Sequence, residues 1–170
     1  QLAESEETMR VTLDVAEEGI WQWHTEDKRI HHNKKWNSIM GFDDTGSHGF
    51  QEFVNFVHPE DQGKIQKSWE DIFIKHQPYS IEYRVILPEG KTIWIEDRGI
   101  PILSKSGEIE RVIGSMIDIT RYRETQRQLY LEKEILQATL LSVGDILIAT
   151  DVEGGIYMMN PAAERETGCK

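Results

Sequence analysis

Apolar and polar positions alternate with a period of two over residues 79–87, where Tyr79, Ile81, Tyr83, Val85 and Leu87 interleave with Ser80, Glu82, Arg84 and Ile86. The return segment sets Ile93 and Ile95 against Thr92, Trp94, Glu96 and Arg98, which predicts an antiparallel hairpin. A loop at residues 88–90, with Gly90 in the left-handed position, pairs Leu87 with Lys91, Val85 with Ile93 and Tyr83 with Ile95. A shorter loop would mix the two faces. On the other face Arg84 meets Trp94 and Arg98 lies diagonal to Glu82. A third strand, residues 109–119, is apolar on both alternations, so it is expected in the centre of a sheet, covered on both faces.

From residue 120 the period lengthens to about three and a half. Ile119, Tyr122, Gln126, Leu129, Lys133, Leu136, Leu140 and Val143 take alternating seam positions of a long helix. That seam fits either a helix packed on its own domain or, the favoured reading, a parallel two-stranded coil with Gln126 and Lys133 as polar breaks that fix register at some loss of stability. A second helix starts at "VHPED", with Pro59 at its first turn and Ile65, Trp69, Ile72 and Phe73 on one face. Residues 50–56 read as a short helical turn after a loop at residues 43–49.

One pattern occurs twice. A short strand, a turn, a second strand and Asn at a helix start run through residues 19–42 and return at residues 146–169, each time after a polar helix. Asn33 matches Asn160 and Gly41 matches Gly168 at one constant offset. Each Asn suits a helix N-cap and each Gly a left-handed C-cap. The boundaries read as an N-terminal amphipathic helix at 1–18 carrying Met9, Leu13 and Ala16, a domain at 19–119, a linker helix at 120–143, and the incomplete start of a second domain at 144–170. The second copy stops one helix in, so the sequence is expected to be a piece of a longer protein. Its two strands are expected to be disordered or to pair with a neighbouring chain.

The stretch from 9 to 119 can bury one core, with Trp21, Trp23, Trp36, Trp69 and Trp94 expected inside it. A net charge of −11 disfavours nucleic acid and anionic membrane surfaces as partners. The single cysteine, Cys169, rules out an internal disulfide framework and fits a cytoplasmic location. No run is apolar and long enough to span a membrane.

In order and spacing, "GIWQWHTEDKRIHHNKKWNSIMGF", "VHPEDQ", "IEYRVILPEGKTIWIEDRG" and "VIGSMIDITRYRE" resemble the PAS family of sensory domains with its C-terminal motif. The later "SVGDILIATDVEGGIYMMNPAAERETG" resembles the opening of another PAS domain. The resemblance implies an α+β fold, a five-stranded antiparallel sheet with helices packed on one face, followed by the long C-terminal helix. It implies a hollow between sheet and helices, for which Trp23, Met40, Phe53, Trp69, Phe73, Tyr83, Ile95 and Met116 are the lining candidates. Filling of the core by these same side chains is an equal reading. It further implies that Asp118 and Thr120 pass a signal from the last strand into the helix, where Tyr122, Leu129, Leu136 and Leu140 carry it through a homodimer. The output expected downstream is a diguanylate cyclase or cyclic-di-GMP phosphodiesterase, with a histidine kinase next.

The flavin photochemistry of this family needs a cysteine in the first domain, and Cys169 lies outside it. Haem-binding members place a histidine on the long helix, where His58 and His76 are nearest, but His58 suits a cap and His76 a turn. His31 and His32 point to opposite faces of a strand and cannot share a metal. No cofactor is therefore named, and haem and metal are disfavoured. With no phosphate-cradling loop, nucleophile elbow or facing carboxylates, catalysis by this stretch is not expected. The alternatives are a haem-type cofactor sensor in which His58 or His76 ligates iron, and a ligand-free dimerisation spacer.

Overall fold

A computed structural model describes residues 17–42, 46–142 and 145–168. The expectations for Met9, Leu13, Ala16, Val143 and Cys169 fall outside the described residues. The chain divides into two units, residues 1–121 and 122–170.

In the first unit, strands β1 (Gly19–His24), β2 (Arg29–His32), β3 (His48–Gly49), β4 (Tyr79–Ile86), β5 (Thr92–Leu103) and β6 (Ile109–Asp118) form one antiparallel sheet in the order β3-β2-β1-β6-β5-β4. Five are the strands of the expected sheet. The sixth, β3, falls at the end of what reads as a loop, because two residues carry no periodicity of their own. Helices α1 (Lys34–Met40), α2 (Phe50–Val54) and α3 (Pro59–Lys75) connect β2, β3 and β4.

The β4–β5 hairpin has the register its loop dictates, with Tyr83 opposite Ile95 and Val85 opposite Ile93, closed by the Leu87 amide donating to Lys91 O at 2.8 Å. Arg84 faces Trp94, its guanidinium 5.5 Å from the ring centre. Arg98 stands diagonal to Glu82, as that register requires. It donates to Glu96 Oε1, on its own strand.

The core gathers Trp21, Trp23, Trp36, Met40, Tyr83, Ile95 and Met116, with Trp69 and Phe73 partly buried against it. Trp94 is not part of it. It alternates with the buried Ile93 and Ile95 and so lies on the opposite face of the sheet. The expected cover on both faces of β6 is likewise found on one only: Val112, Gly114 and Met116 are buried, while Ile113 and Ile117 remain half-exposed.

Helix α3 is fastened to β4 at its first turn. Asp61 accepts from Arg84 through Nε at 2.8 Å, Nη2 at 2.9 Å and the backbone amide at 2.9 Å. This arginine, with the backbone bond, holds the Asp61 carboxyl down at about 2.

In the second unit α4 (Thr120–Ser142), whose first two residues belong to the first unit, leads to β7 (Ile148–Thr150), β8 (Ile156–Met159) and α5 (Pro161–Thr167). β7 and β8 pair with each other. This corrects the expectation of disordered strands, since a tight turn at residues 151–155 closes the hairpin locally: the Asp151 amide donates to Gly155 O, and Asp151 Oδ1 accepts from the Gly155 amide.

Candidate functional site

The inner face of β5 reads Ile93, Ile95, Asp97, Gly99, so the alternation that buries two isoleucines also buries a carboxylate. Asp97 is 4% exposed. Its Oδ1 accepts from Trp21 Nε1 at 2.8 Å, and its Oδ2 from the hydroxyls of Tyr79 at 3.0 Å and Tyr83 at 3.3 Å. Burial pushes the Asp97 carboxyl up to about 6 against the pull of these neutral donors and the Arg98 backbone amide. Burial and the neighbouring carboxylate together push both tyrosines well above their ordinary range.

Room for these donors comes from glycine. Tyr79 pairs with Gly99, Gly99 with Gly114, and Gly114 with Trp21, a row across four strands with rings at both ends and no side chain between. A Cβ on Gly99 would lie within the Tyr79 ring surface, and one on Gly114 within that of Trp21. The two glycines let the indole and the phenol lie over the sheet and reach Asp97.

Between this row and the helices is a cavity of about 20 Å³, enough for roughly one water molecule. Of the expected lining, Phe53, Trp69, Tyr83 and Met116 face it, joined by Trp21, Trp36, Phe50, Tyr79 and Asp97. Trp69 stacks on Phe50 with centroids 4.5 Å apart. Trp23, Met40, Phe73 and Ile95 do not line it. Met40 and Ile95 are fully buried in the surrounding core, and Trp23 packs edge-on against Trp69 at 5.5 Å and Phe73 at 5.2 Å. The indole N–H that reaches into the site is that of Trp21. His58 caps α3, accepting from the Glu60 amide at 3.4 Å, and His76 is the left-handed residue that ends it; neither faces the cavity. Among the described residues no group of three or more His, Cys, Asp or Glu is arranged to hold a metal ion. No helix among them is long and apolar enough to cross a membrane.

The last strand leaves the sheet through a hydrogen-bonded joint. The Ile119 amide donates to Trp94 O at 2.9 Å, the Trp94 amide donates to Thr120 Oγ1 at 2.8 Å, and the Thr120 amide donates to Asp118 Oδ1 at 2.8 Å. β5 therefore holds both the residue before α4 and its first residue. Asp97 sits opposite Met116 on these same two strands, and Ile95 opposite Asp118. Further along α4, Tyr122, Leu129 and Leu136 are exposed at 65%, 65% and 59%, and Leu140 is half-buried.

The chain is 29% identical over 161 residues to a probable diguanylate cyclase, DgcE, of Escherichia coli, which covers 94% of this chain and 14% of that protein. It is 26% identical over 127 residues to the blue-light-activated histidine kinase of Brucella abortus, 74% of this chain and 25% of that one. It thus spans a small part of the curated relatives it matches. Among solved structures it resembles a sensory box histidine kinase/response regulator from Burkholderia thailandensis, with a TM-score of 0.63 and 22% identity over 76% of this chain and 98% of that one. It also resembles the N-terminal domain of a diguanylate cyclase with PAS/PAC sensor from Marinobacter aquaeolei, with a TM-score of 0.58 and 20% identity over 62% and 98%. Residues 29–116 match the PAS fold family, and the chain belongs to it.

Proposed function

We propose that this chain is a non-catalytic sensory module that detects a small ligand in its first unit and passes the result through a dimeric α4 to an output domain. That output is a diguanylate cyclase or phosphodiesterase, with a histidine kinase as the second choice. The observation that carries the reading is the joint at Trp94, Ile119 and Thr120. A displacement of β5 against β6 moves the start of α4 directly, because the two are tied by backbone and hydroxyl bonds rather than by a loop. Such a joint biases two arrangements of the helix pair. The exposed Leu129 and Leu136 supply the seam. Similarity to parts of a probable diguanylate cyclase and of a histidine kinase supports the choice of output.

The second unit is read as the opening of another PAS domain. Its Asn160 repeats the bonding of Asn33: Oδ1 accepts from Leu147 at 3.0 Å and Ala163 at 2.9 Å, where Asn33 Oδ1 accepts from Ile20 at 3.0 Å and Trp36 at 2.9 Å.

The test places the chain ahead of a diguanylate cyclase catalytic domain. Thr120→Val, which removes the hydroxyl that holds the Trp94 amide, is expected to change the basal output several-fold while the first unit stays folded. Output indifferent to Thr120→Val and to Leu129→Lys with Leu136→Lys would contradict the reading.

A further inference from the structure

Asp97 has four neutral donors and no cation. Neutral donors spread a negative charge but do not cancel it, and a buried carboxylate without a counter-charge is held either by a proton or by a cation. Asp97, Tyr79 and Tyr83 are the titratable residues among those lining the cavity; no lysine, arginine or histidine faces it. The other walls are five aromatic and four aliphatic side chains; aromatic faces carry negative quadrupole potential and favour a cation over an anion. One carboxylate and two phenols are too few oxygens for calcium or magnesium, which take six or so. A neutral apolar ligand would gain nothing from Asp97 and would remove it further from water. The space holds an ion of about water's size. The glycine row shows that the sheet is shaped around this carboxylate: two side chains are omitted so that Trp21 and Tyr79 can close over it.

We propose that the cavity is a site for a small protonated amine, ammonium or methylammonium, whose N–H groups donate to Asp97 while the rings of Trp21, Trp69 and Tyr83 enclose it. The assignment rests on the sensory reading above and names its ligand class. The ion meets the carboxylate in its charged form, so a proton leaves Asp97 when the ion binds below about pH 6, the value to which burial raises the carboxyl. Affinity is therefore steady above that pH and falls by up to tenfold per unit below it. A bound cation pulls Asp97 between the tyrosines of β4 on one side and Trp21 of β1, which pairs with β6, on the other, and so acts on β5 against β6 three residue pairs from Trp94 and Ile119.

The experiment titrates the whole chain with ammonium chloride and methylammonium chloride at pH 7.5 and pH 5, with sodium chloride at matched ionic strength as the blank. It follows tryptophan fluorescence, since Trp21 and Trp69 stand in the site, and calorimetric heat. The expected result is a saturable response that sodium does not give, about tenfold weaker at pH 5. Asp97→Asn is expected to weaken binding at least tenfold and to remove its pH dependence. If that variant does not fold, Trp69→Leu, which removes a ring without touching the hydrogen bonds of Asp97, is expected to weaken binding about tenfold. No response beyond sodium, or equal affinity in a folded Asp97→Asn, overturns the proposal. If amines fail to bind while Thr120→Val still changes the fused cyclase's output, the amine assignment falls and the sensory reading stands. Binding by amines with an output that ignores the joint means the reverse.

Discussion

The two asparagine-capped openings of this chain are built alike and finish differently. In the first, Trp21 pairs with His32 and Gln22 with His31; in the second, Ile148 pairs with Met159 and Ala149 with Met158. Asn33 Nδ2 donates to Glu18 O at 3.3 Å and Asn160 Nδ2 to Asp145 O at 2.8 Å, and the closing glycines, Gly41 and Gly168, have φ of 71° and 69°. Yet Trp21 and Trp36 are buried, whereas Ile148, Ile156 and Tyr157 are 41%, 56% and 73% exposed. The difference is β6, which pairs with every residue of β1 and turns a hairpin into part of a sheet. The local bonding pattern is complete within about two dozen residues. Burial is not, because it needs strands from far along the chain.

The sharpest way to break this comparison is to remove each asparagine. Asn33→Ala leaves two amides and a carbonyl short of a partner inside a packed unit and is expected to cost about 3–4 kcal/mol in the main unfolding transition. Asn160→Ala is expected to leave that transition where it is. Equal shifts in denaturant midpoint would mean that the two units unfold together.

If burial separates the openings, groups that depend on it should show it in their titration. Asp97 is held protonated to a higher pH in the folded state than in the unfolded chain, from 3.8 to about 6. Its contribution to stability is full below pH 3.8 and is lost as pH rises through 6, about 3 kcal/mol in all. Asp97→Asn should therefore gain on the natural chain by about that amount between pH 4 and pH 7.5, measured by urea unfolding. An unchanged difference across that range would place Asp97 in water.

Asp61 has the opposite sign. Its carboxyl lies lower in the folded state, at about 2 against 3.8, so its contribution is present above pH 3.8 and is lost as pH falls through 2. Asp61→Asn is expected to cost about 1–2 kcal/mol at pH 7, allowing for partial exposure, and little at pH 2. The smallest effect contrasts the caps: Gly41→Ala should cost about 1 kcal/mol through left-handed strain, and Gly168→Ala should not move the main transition.

Much of this molecule was legible because its signals are local. The loop at residues 88–90 dictates the β4–β5 register, and an asparagine before a helix with a glycine after it marks both caps. Asp97 was missed although the alternation through Ile93 and Ile95 points straight to it, because a carboxylate interrupts an apolar pattern and ends the reading. Gly99 and Gly114 gave a second signal, side chains absent where rings must lie. Trp21 and Trp23 share one face of β1, and nothing in β1 tells which reaches the site. That depends on Trp21 falling opposite Gly114, a fact of strand order. Trp94 carries two expectations, a place in the core and a place opposite Arg84 on the other face of the hairpin, and its alternation with Ile93 and Ile95 decides for the second.

The central claim is that a folded first unit feeds a dimeric helix, and a native mass spectrum of the whole chain beside the Leu129→Lys, Leu136→Lys variant tests it most directly. The account predicts two chains in the natural protein and one in the variant. A natural chain that flies as a single copy would contradict it.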